Sequence, residues 1–289
     1  GPLRSLSEAP RVAQLATLWG GAEAPATPAP AIAVPRLDDP SVAPLSLMQQ
    51  RLWVMDHMQP GYTGYNIQSA HRLHGPLDLT ALEDAFAKVV RRQPVLRTRL
   101  ETVGDGAVQR VLDDVVPTLQ PVEDLASLPK AEREAVLARR MDELTAEVIP
   151  LDQAPLYRAR LFRLSPQEHV LFFMVHHTVW DGMSINLFCD EMAALYATYT
   201  AGGLCTLPDP ERTYAEYAAW NAGRRDSDAM RAQLQHWTAH LQGHAEPLHL
   251  PEDLPRPTQP SGRGGAQLMQ MDAALTNGLR AVGAQADST

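Results

Sequence analysis

The sequence predicts a layered α/β or α+β fold, a mixed sheet flanked by helices. Segments in which apolar and polar residues alternate are followed repeatedly by segments with helical periodicity. The chain has 289 residues, which exceeds one average domain but falls short of three. Its 45% apolar and 20% charged residues are ordinary globular values, so a sizeable core is expected.

The first half of the predicted fold alternates helices with strands. Apolar stripes predict two helices, and period-two alternation predicts a strand between them. A glycine-containing turn between two β-prone runs predicts a hairpin. These elements are helix Ser46–Met58, strand Tyr65–Leu73, helix Asp78–Arg92 and the hairpin Arg97–Glu101 with Ala107–Leu112, which turns at Gly104-Asp105-Gly106.

The second half begins with a strongly charged helix and a pair of strands, and then becomes mainly helical. The second strand contains the longest apolar run, Val170–Val175, which is typical of a buried strand. Gly202-Gly203 is expected to end the helix that follows this second strand. In order, the elements are helix Pro129–Val148, strands Leu156–Leu164 and Glu168–His176, helices Ser184–Tyr199, Thr213–Arg225 and Ala229–Gln242, strand Ala266–Met271 and the start of a helix at Ala273–Ala284.

Charge and composition exclude several classes of protein. The net charge of −9 argues against nucleic acid as the main partner. No apolar run reaches the roughly eighteen residues of a membrane-spanning helix. Cys189 and Cys205 form neither a disulfide framework nor a metal motif, so the cytoplasm is the expected location.

Proline-rich stretches divide the chain into regions. Six prolines fall in Gly21–Pro44, which has no helical or strand period and is predicted to be an extended linker. Before it, Ser7 as a cap and Pro10 in the first turn predict a helix within Leu3–Trp19, too short to hold a core of its own. Five prolines between residues 247 and 260 predict an extended loop.

The strongest chemical signal follows the longest apolar strand. His176 and His177 are adjacent at its end, and their side chains should point to opposite faces of the sheet. Each is either a buried core residue with its hydrogen bonds satisfied or a neutral imidazole that accepts and returns a proton. A metal site is disfavoured, because the spacing from the histidines to Asp181 is not the i,i+4 spacing of ligands on a helix. No second cluster of metal-ligating residues supports such a site. Asp181-Gly182 breaks the strand and places His177 near the sheet edge, where a cleft can form.

The pattern His-His-x-x-x-Asp-Gly, with Ser184 two positions later, resembles the signature of condensation domains of nonribosomal peptide synthetases. Three further segments resemble other motifs of this family, in the family's order. Met48 replaces an alanine in the first of them, and Gln93 and Pro94 replace a histidine and a glutamate in the second. The segments are Ser46-Leu47-Met48-Gln49-Gln50-Arg51-Leu52-Trp53, Arg92-Gln93-Pro94-Val95-Leu96-Arg97-Thr98 and Tyr214-Ala215-Glu216-Tyr217-Ala218-Ala219-Trp220.

The resemblance implies a chloramphenicol-acetyltransferase-like lobe, one of two lobes that enclose the active site in a tunnel. It implies that His177 is catalytic, as a general base or by orienting the acceptor amine, and that His176 is more structural. Asp181 is expected to form a supporting ion pair with an arginine of the second lobe. Gly182 is expected to let the backbone turn close to the reacting carbonyl.

The other motif residues are expected to have supporting roles. Ser184 belongs to the histidine motif without an assigned part in the chemistry. Arg97 is expected to be structural, because an arginine at the start of a strand usually pairs with a carboxylate. Four more motif residues are expected to pack or to form hydrogen bonds, namely Arg51, Trp53, Tyr217 and Trp220.

The implied activity is formation of an amide bond between a donor acyl or peptidyl thioester and an acceptor aminoacyl thioester. Both substrates would be carried on the phosphopantetheine of carrier-protein domains, upstream and downstream, with an adenylation domain as a further partner. No cofactor or metal is expected to be bound by the chain itself. No nucleophilic Ser/His/Asp or Cys/His pattern is evident.

The resemblance also predicts a domain organisation. Residues 3–20 resemble the last helix of a carrier-protein domain, and residues 21–44 are the linker. Residues 45–260 are expected to form the N-terminal lobe of the condensation domain, and residues 261–289 the truncated start of the second lobe. Without the second wall of the tunnel, the chain alone is expected to form no amide product.

Two alternatives remain open from the sequence. An epimerisation domain shares the paired histidines but abstracts a proton from Cα; the first motif and Tyr65-Asn66 favour condensation over it. A non-catalytic module that only docks a carrier protein belongs to a different class. Heterocyclisation is disfavoured, since those relatives carry an aspartate in place of His176.

Overall fold

The computed structural model describes residues 33–205, 207–243, 255, 258 and 269–285. Val34–Gly262 belongs to one compact unit, and the described residues 269–285 belong to a second. The predicted helix within Leu3–Trp19, the first part of the linker and most of the loop at 247–260 lie outside the described residues. Within the described ranges, no helix combines the length and the apolar character that crossing a membrane requires.

Helices and strands follow one another along the first unit much as the sequence predicts. A short 3-10 helix, Pro94–Arg97, leads into the predicted hairpin. The strands are β1 (Val42–Pro44), β2 (Asn66–His74), β3 (Thr98–Val103), β4 (Gly106–Val111), β5 (Gln120–Asp124), β6 (Tyr157–Ser165) and β7 (Glu168–His176). The helices are α1 (Leu47–Met58), α2 (Leu79–Arg92), α3 (Lys130–Thr145), α4 (Ser184–Thr200), α5 (Tyr214–Gly223) and α6 (Asp228–His240), and α7 (Ala273–Gln285) lies in the second unit.

The strands form two sheets. The larger has the order β2-β7-β6-β5, in which β7 pairs antiparallel with β2 and β6, and β5 pairs parallel with β6. The smaller has the order β1-β4-β3 and is antiparallel. The expectation of a mixed sheet flanked by helices is therefore confirmed. In the larger sheet Asn66 is the register partner of His176, so β2 begins beside the end of β7.

The core lies where α2 and α4 pack on the larger sheet. Phe86 of α2 makes edge-to-face contacts with Phe173 of β7 and Phe188 of α4. Every residue of β7 except Glu168 is buried, because this central strand is covered on both faces. The end of β7, where the two histidines lie, is therefore anchored in the hydrophobic core.

Strand β1 corrects the predicted extent of the linker, Gly21–Pro44. Val42–Pro44 pairs with β4, and Ala43 and Leu45 are buried. A three-residue strand is too short to show alternation, so the sequence gives no signal for it. The predicted linker can extend no further than residue 41.

Two other strand predictions need correction. Strand β5, Gln120–Asp124, is absent from the predictions, because Pro121 argues against a strand. An edge strand tolerates a proline, and β5 is at the edge of its sheet. The predicted strand Ala266–Met271 is wrong for its described part, since residues 269–271 form no strand.

Within the described residues, the predicted helix bounds agree with the structure to within two residues, except at one end. The helix predicted to reach Val148 ends at Thr145, before Pro150, and the Asn66 side chain donates to the Glu147 carbonyl at 2.9 Å. On α2, Leu79 is 38% exposed although it is apolar, because it is the first residue of the helix.

Candidate active site

A cleft with a volume of about 690 Å³ opens where β7 ends. The turn after β7 forms one side of it with His177, Asp181 and the start of α4 at Ser184. Arg51 of α1 and Tyr217 of α5 line it as well, so residues distant in sequence meet here. The structure thus brings the histidine motif together with the other three family motifs, the second of them through Val95.

His177 is exposed to this cleft and is held at two points. Its backbone N–H donates to the Tyr65 carbonyl at 2.9 Å. Its Nδ1 lies 2.7 Å from the Trp180 carbonyl oxygen. A carbonyl oxygen can only accept, so Nδ1 carries the hydrogen, and in the neutral ring Nε2 keeps a free lone pair. Among the described residues, Nε2 makes no hydrogen bond.

His176 has a different environment from its neighbour. It is 3% exposed, and its Nδ1 accepts from the Thr178 N–H at 3.2 Å. Burial, and secondarily the charge of His177, lowers the pKa of His176 from 6.5 to about 4. This ring is therefore uncharged at neutral pH and is a packed, hydrogen-bonded core residue.

Asp181 and Ser184 bond to each other at the start of α4. The Asp181 carboxylate accepts from the Ser184 hydroxyl at 2.7 Å, from the Ser184 N–H at 2.9 Å and from the Met183 N–H at 3.1 Å. The side-chain bond from Ser184 contributes most to lowering the pKa of Asp181. The site therefore holds a carboxylate whose geometry is fixed by the helix that follows.

The expected ion pair of Asp181 is not formed within the described part of the chain. Asp181 is exposed in this part of the chain, so the expected pairing with an arginine of the second lobe stays a prediction. The space around Gly182 is open on the protein side. Its φ is outside the left-handed region and an added Cβ would meet nothing within 4 Å, so the local backbone does not require a glycine.

Arg97 pairs with a carboxylate, as expected. Its Nη1 lies 2.9 Å from Asp113 Oδ1 and also donates to the Leu112 carbonyl. The guanidinium therefore ties the start of β3 to the segment after β4, away from the cleft.

Sequence reasoning missed three groups that hold the site together. Two are backbone carbonyls, those of Tyr65 and Trp180, and a carbonyl has no sequence signature. The third is the side chain of Gln49, which is 1% exposed and donates to the Thr178 carbonyl at 3.1 Å. Its signal was the spacing Ser46-x-x-Gln49, which is a capping box.

The cleft carries groups for proton transfer rather than for metal binding. Within residues 33–205, 207–243, 255, 258 and 269–285, no three His, Cys, Asp or Glu side chains are grouped so as to hold a metal ion. An uncharged imidazole with a free Nε2 at a cleft wall can accept a proton from a bound nucleophile.

Comparison with known proteins gives the family. The family model described as Condensation domain matches residues 40–289. Chondramide synthase cmdD of Chondromyces crocatus is 36% identical over 238 residues, which are 82% of this chain and 6% of that protein. The chain thus spans a small fraction of this relative.

Solved structures agree with the sequence comparison. The X-domain in the complex of the X-domain and OxyB from teicoplanin biosynthesis is similar with a TM-score of 0.74 at 28% identity, over 89% of this chain and 56% of that one. The first condensation domain of the CDA synthetase gives a TM-score of 0.61 at 25% identity, over 71% of this chain and 52% of that one. The chloramphenicol-acetyltransferase-like fold is confirmed, and the matches do not favour epimerisation over condensation.

Proposed function

The chain belongs to the condensation-domain family, and from that premise we propose that it contains the amide-forming site of a nonribosomal peptide synthetase. The substrates are a donor acyl or peptidyl thioester and an acceptor aminoacyl thioester. Both are carried on phosphopantetheine by carrier-protein domains, and an adenylation domain supplies the activated amino acid. The two free cysteines, Cys189 and Cys205, support a reducing cytoplasmic location.

In the proposed reaction, the acceptor amine attacks the carbonyl carbon of the donor thioester. A carbon–nitrogen bond forms and the carbon–sulfur bond breaks. The proton lost by the amine passes to Nε2 of His177, which returns it to the departing thiolate sulfur. Positioning of both tethered substrates in the tunnel supplies much of the rate.

The observation that carries this proposal is the orientation of the His177 ring. The Trp180 carbonyl oxygen accepts a hydrogen bond from His177 Nδ1, with 2.7 Å between the two atoms. Nε2 is therefore the nitrogen left for the substrate. The ring is at the wall of the cleft, while His176 beside it is buried and uncharged at neutral pH. Of the two histidines, only His177 can reach a substrate.

The test is product formation by the intact two-lobe protein. Donor and acceptor are loaded on their carrier domains, and the amide product is detected by mass spectrometry. We expect the dipeptidyl or acyl-aminoacyl product on the acceptor carrier. A protein that is folded, binds both loaded carriers and forms no product while His177 is intact would contradict the proposal.

One comparison favours a second candidate, a module that holds a partner protein without forming a bond. The solved structure with the higher of the two TM-scores, 0.74, is an X-domain in a complex with OxyB. Under this candidate, partner binding persists and product is absent whether or not His177 is replaced. The product assay therefore separates the two candidates.

A further inference from the structure

Gln49 is a buried amide whose orientation is fixed by its partners. Its Oε1 accepts from the Ser46 N–H at 3.0 Å and from Gln109 Nε2 at 3.3 Å. Only the oxygen of the amide can accept from a backbone N–H, so the NH₂ group must face the opposite side. There it donates to the Thr178 carbonyl at 3.1 Å.

The Thr178–Val179 peptide that Gln49 contacts is the second peptide after His177, within the turn. Its carbonyl accepts from Gln49, and its N–H, on Val179, donates to the His176 carbonyl at 3.1 Å. Because a peptide unit is planar, these two bonds together fix its orientation. The chain leaves it in the direction that brings the Trp180 carbonyl to His177 Nδ1.

We infer that Gln49 is a positioning residue for His177, acting through the Thr178–Val179 peptide. The side chain does not touch the reacting atoms. It holds the turn in the form that keeps the hydrogen on Nδ1 and leaves Nε2 free toward the cleft. This inference rests on the proposed function, since it assigns a purpose to the orientation of that ring.

The neighbouring residue provides a matched control. Gln50 is also in α1 and is partly buried, and its Nε2 donates to the Leu45 carbonyl at 3.1 Å. Within the described residues it makes no hydrogen bond to the histidine turn. A merely structural role for Gln49 would lower stability, as a change at Gln50 can, without altering the His177 ring.

The experiment is nitrogen-15 NMR of the histidine rings at alkaline pH, with His177 assigned by comparison with His177→Ala. The parent chain should show the Nδ1–H tautomer for His177. Gln49→Met, which keeps the side-chain volume, should shift this ring toward the Nε2–H tautomer, and Gln50→Met should not. In the intact protein, Gln49→Met should lower kcat roughly 100-fold with KM unchanged.

Each outcome of this experiment decides the inference. An Nε2–H tautomer in the parent, or an Nδ1–H tautomer in Gln49→Met, would overturn it. If Gln49→Met does not fold, Gln49→Glu replaces it, because its carboxylate keeps the capping bond to Ser46 but cannot donate to Thr178 when ionised. Full activity of His177→Ala would refute the proposed function, while the tautomer comparison would still decide what positions the ring.

Discussion

Strand β7 and the turn that follows it, residues 177–182, are continuous in sequence but are held by different interactions. The strand is buried on both faces and is fixed by apolar packing and ladder hydrogen bonds. The turn buries only Thr178, Val179 and Trp180, and it is also held by hydrogen bonds to Gln49, Tyr65 and Ser184. Substitutions in the strand should therefore act on stability, and those that remove the hydrogen bonds of the turn on the geometry of the site.

Trp180 is where the two regions meet. Its ring packs against Phe173 with 5.2 Å between ring centroids, and it is 7% exposed. Its backbone carbonyl is the group that accepts from His177. The core thereby holds the turn through the side chain of Trp180 and that of its neighbour Val179, which is 5% exposed. The predictions below test how far the two regions are separable.

The largest effect on stability is expected in the strand, from Phe173→Ala. Phe173 is 1% exposed and stacks on Phe188 with 4.8 Å between centroids. Loss of the ring should lower the free energy of unfolding by about 3–5 kcal/mol, through lost burial and the cavity left behind. Urea denaturation measures this free energy. The control is Val116→Ala at a 73% exposed site, where the free energy of unfolding should change by less than about 0.5 kcal/mol. Equal effects at both sites would mean that β7 is not the packed centre.

The next effect is a dependence of the free energy of unfolding on pH, and His176 is its source. Its pKa is 6.5 when unfolded and about 4 in the folded chain, so below pH 6.5 the unfolded state binds more protons. The contribution of His176 to the free energy of unfolding is fully present above pH 6.5. It decreases toward pH 4, by about 3 kcal/mol in total.

The measurement for His176 is the free energy of unfolding between pH 4 and 7, taken as the parent minus His176→Gln. This difference removes the contribution of the carboxylates that protonate in the same range. The parent should lose more stability on acidification than the variant. Parallel curves would show that His176 is not buried in its neutral form.

A smaller effect is expected in the turn, from Asp181→Ala. The variant loses three hydrogen bonds at the start of α4 but exposes no buried charge. The free energy of unfolding should fall by about 1 kcal/mol, as for the loss of a helix cap. Asp190→Ala, at an exposed position on the same helix, is the matched control and should leave thermal stability unchanged. A loss of several kcal/mol at Asp181 would indicate a buried partner after all.

The same contrast explains which features could be predicted from the sequence. Long elements such as α2 and β7 have a clear period, because each buries one face or both. Strands β1 and β5 are three and five residues long, so packing partners distant in sequence decide them. Local pattern cannot show such partners.

The candidate site was predictable only in part, for a related reason. His177 could be found because its motif is contiguous and follows an apolar strand. Its supports could not, since Gln49 lies 129 positions from Thr178 and the other contacts are backbone carbonyls. The bonds of Asp181 to the start of α4 were not predicted either, because an aspartate before a helix can accept from the first N–H groups as well as form an ion pair.

The most direct test of the account is one paired measurement on His177→Ala in the intact two-lobe protein. We predict an unfolding free energy within about 0.5 kcal/mol of the parent, because this ring is exposed, together with a product yield that falls roughly 10²- to 10⁴-fold. His74→Ala, at an exposed histidine at the far end of β2, should change neither quantity. Full product formation by His177→Ala, or a loss of product accompanied by an equal loss of folded protein, would contradict the assignment of His177 as the proton acceptor.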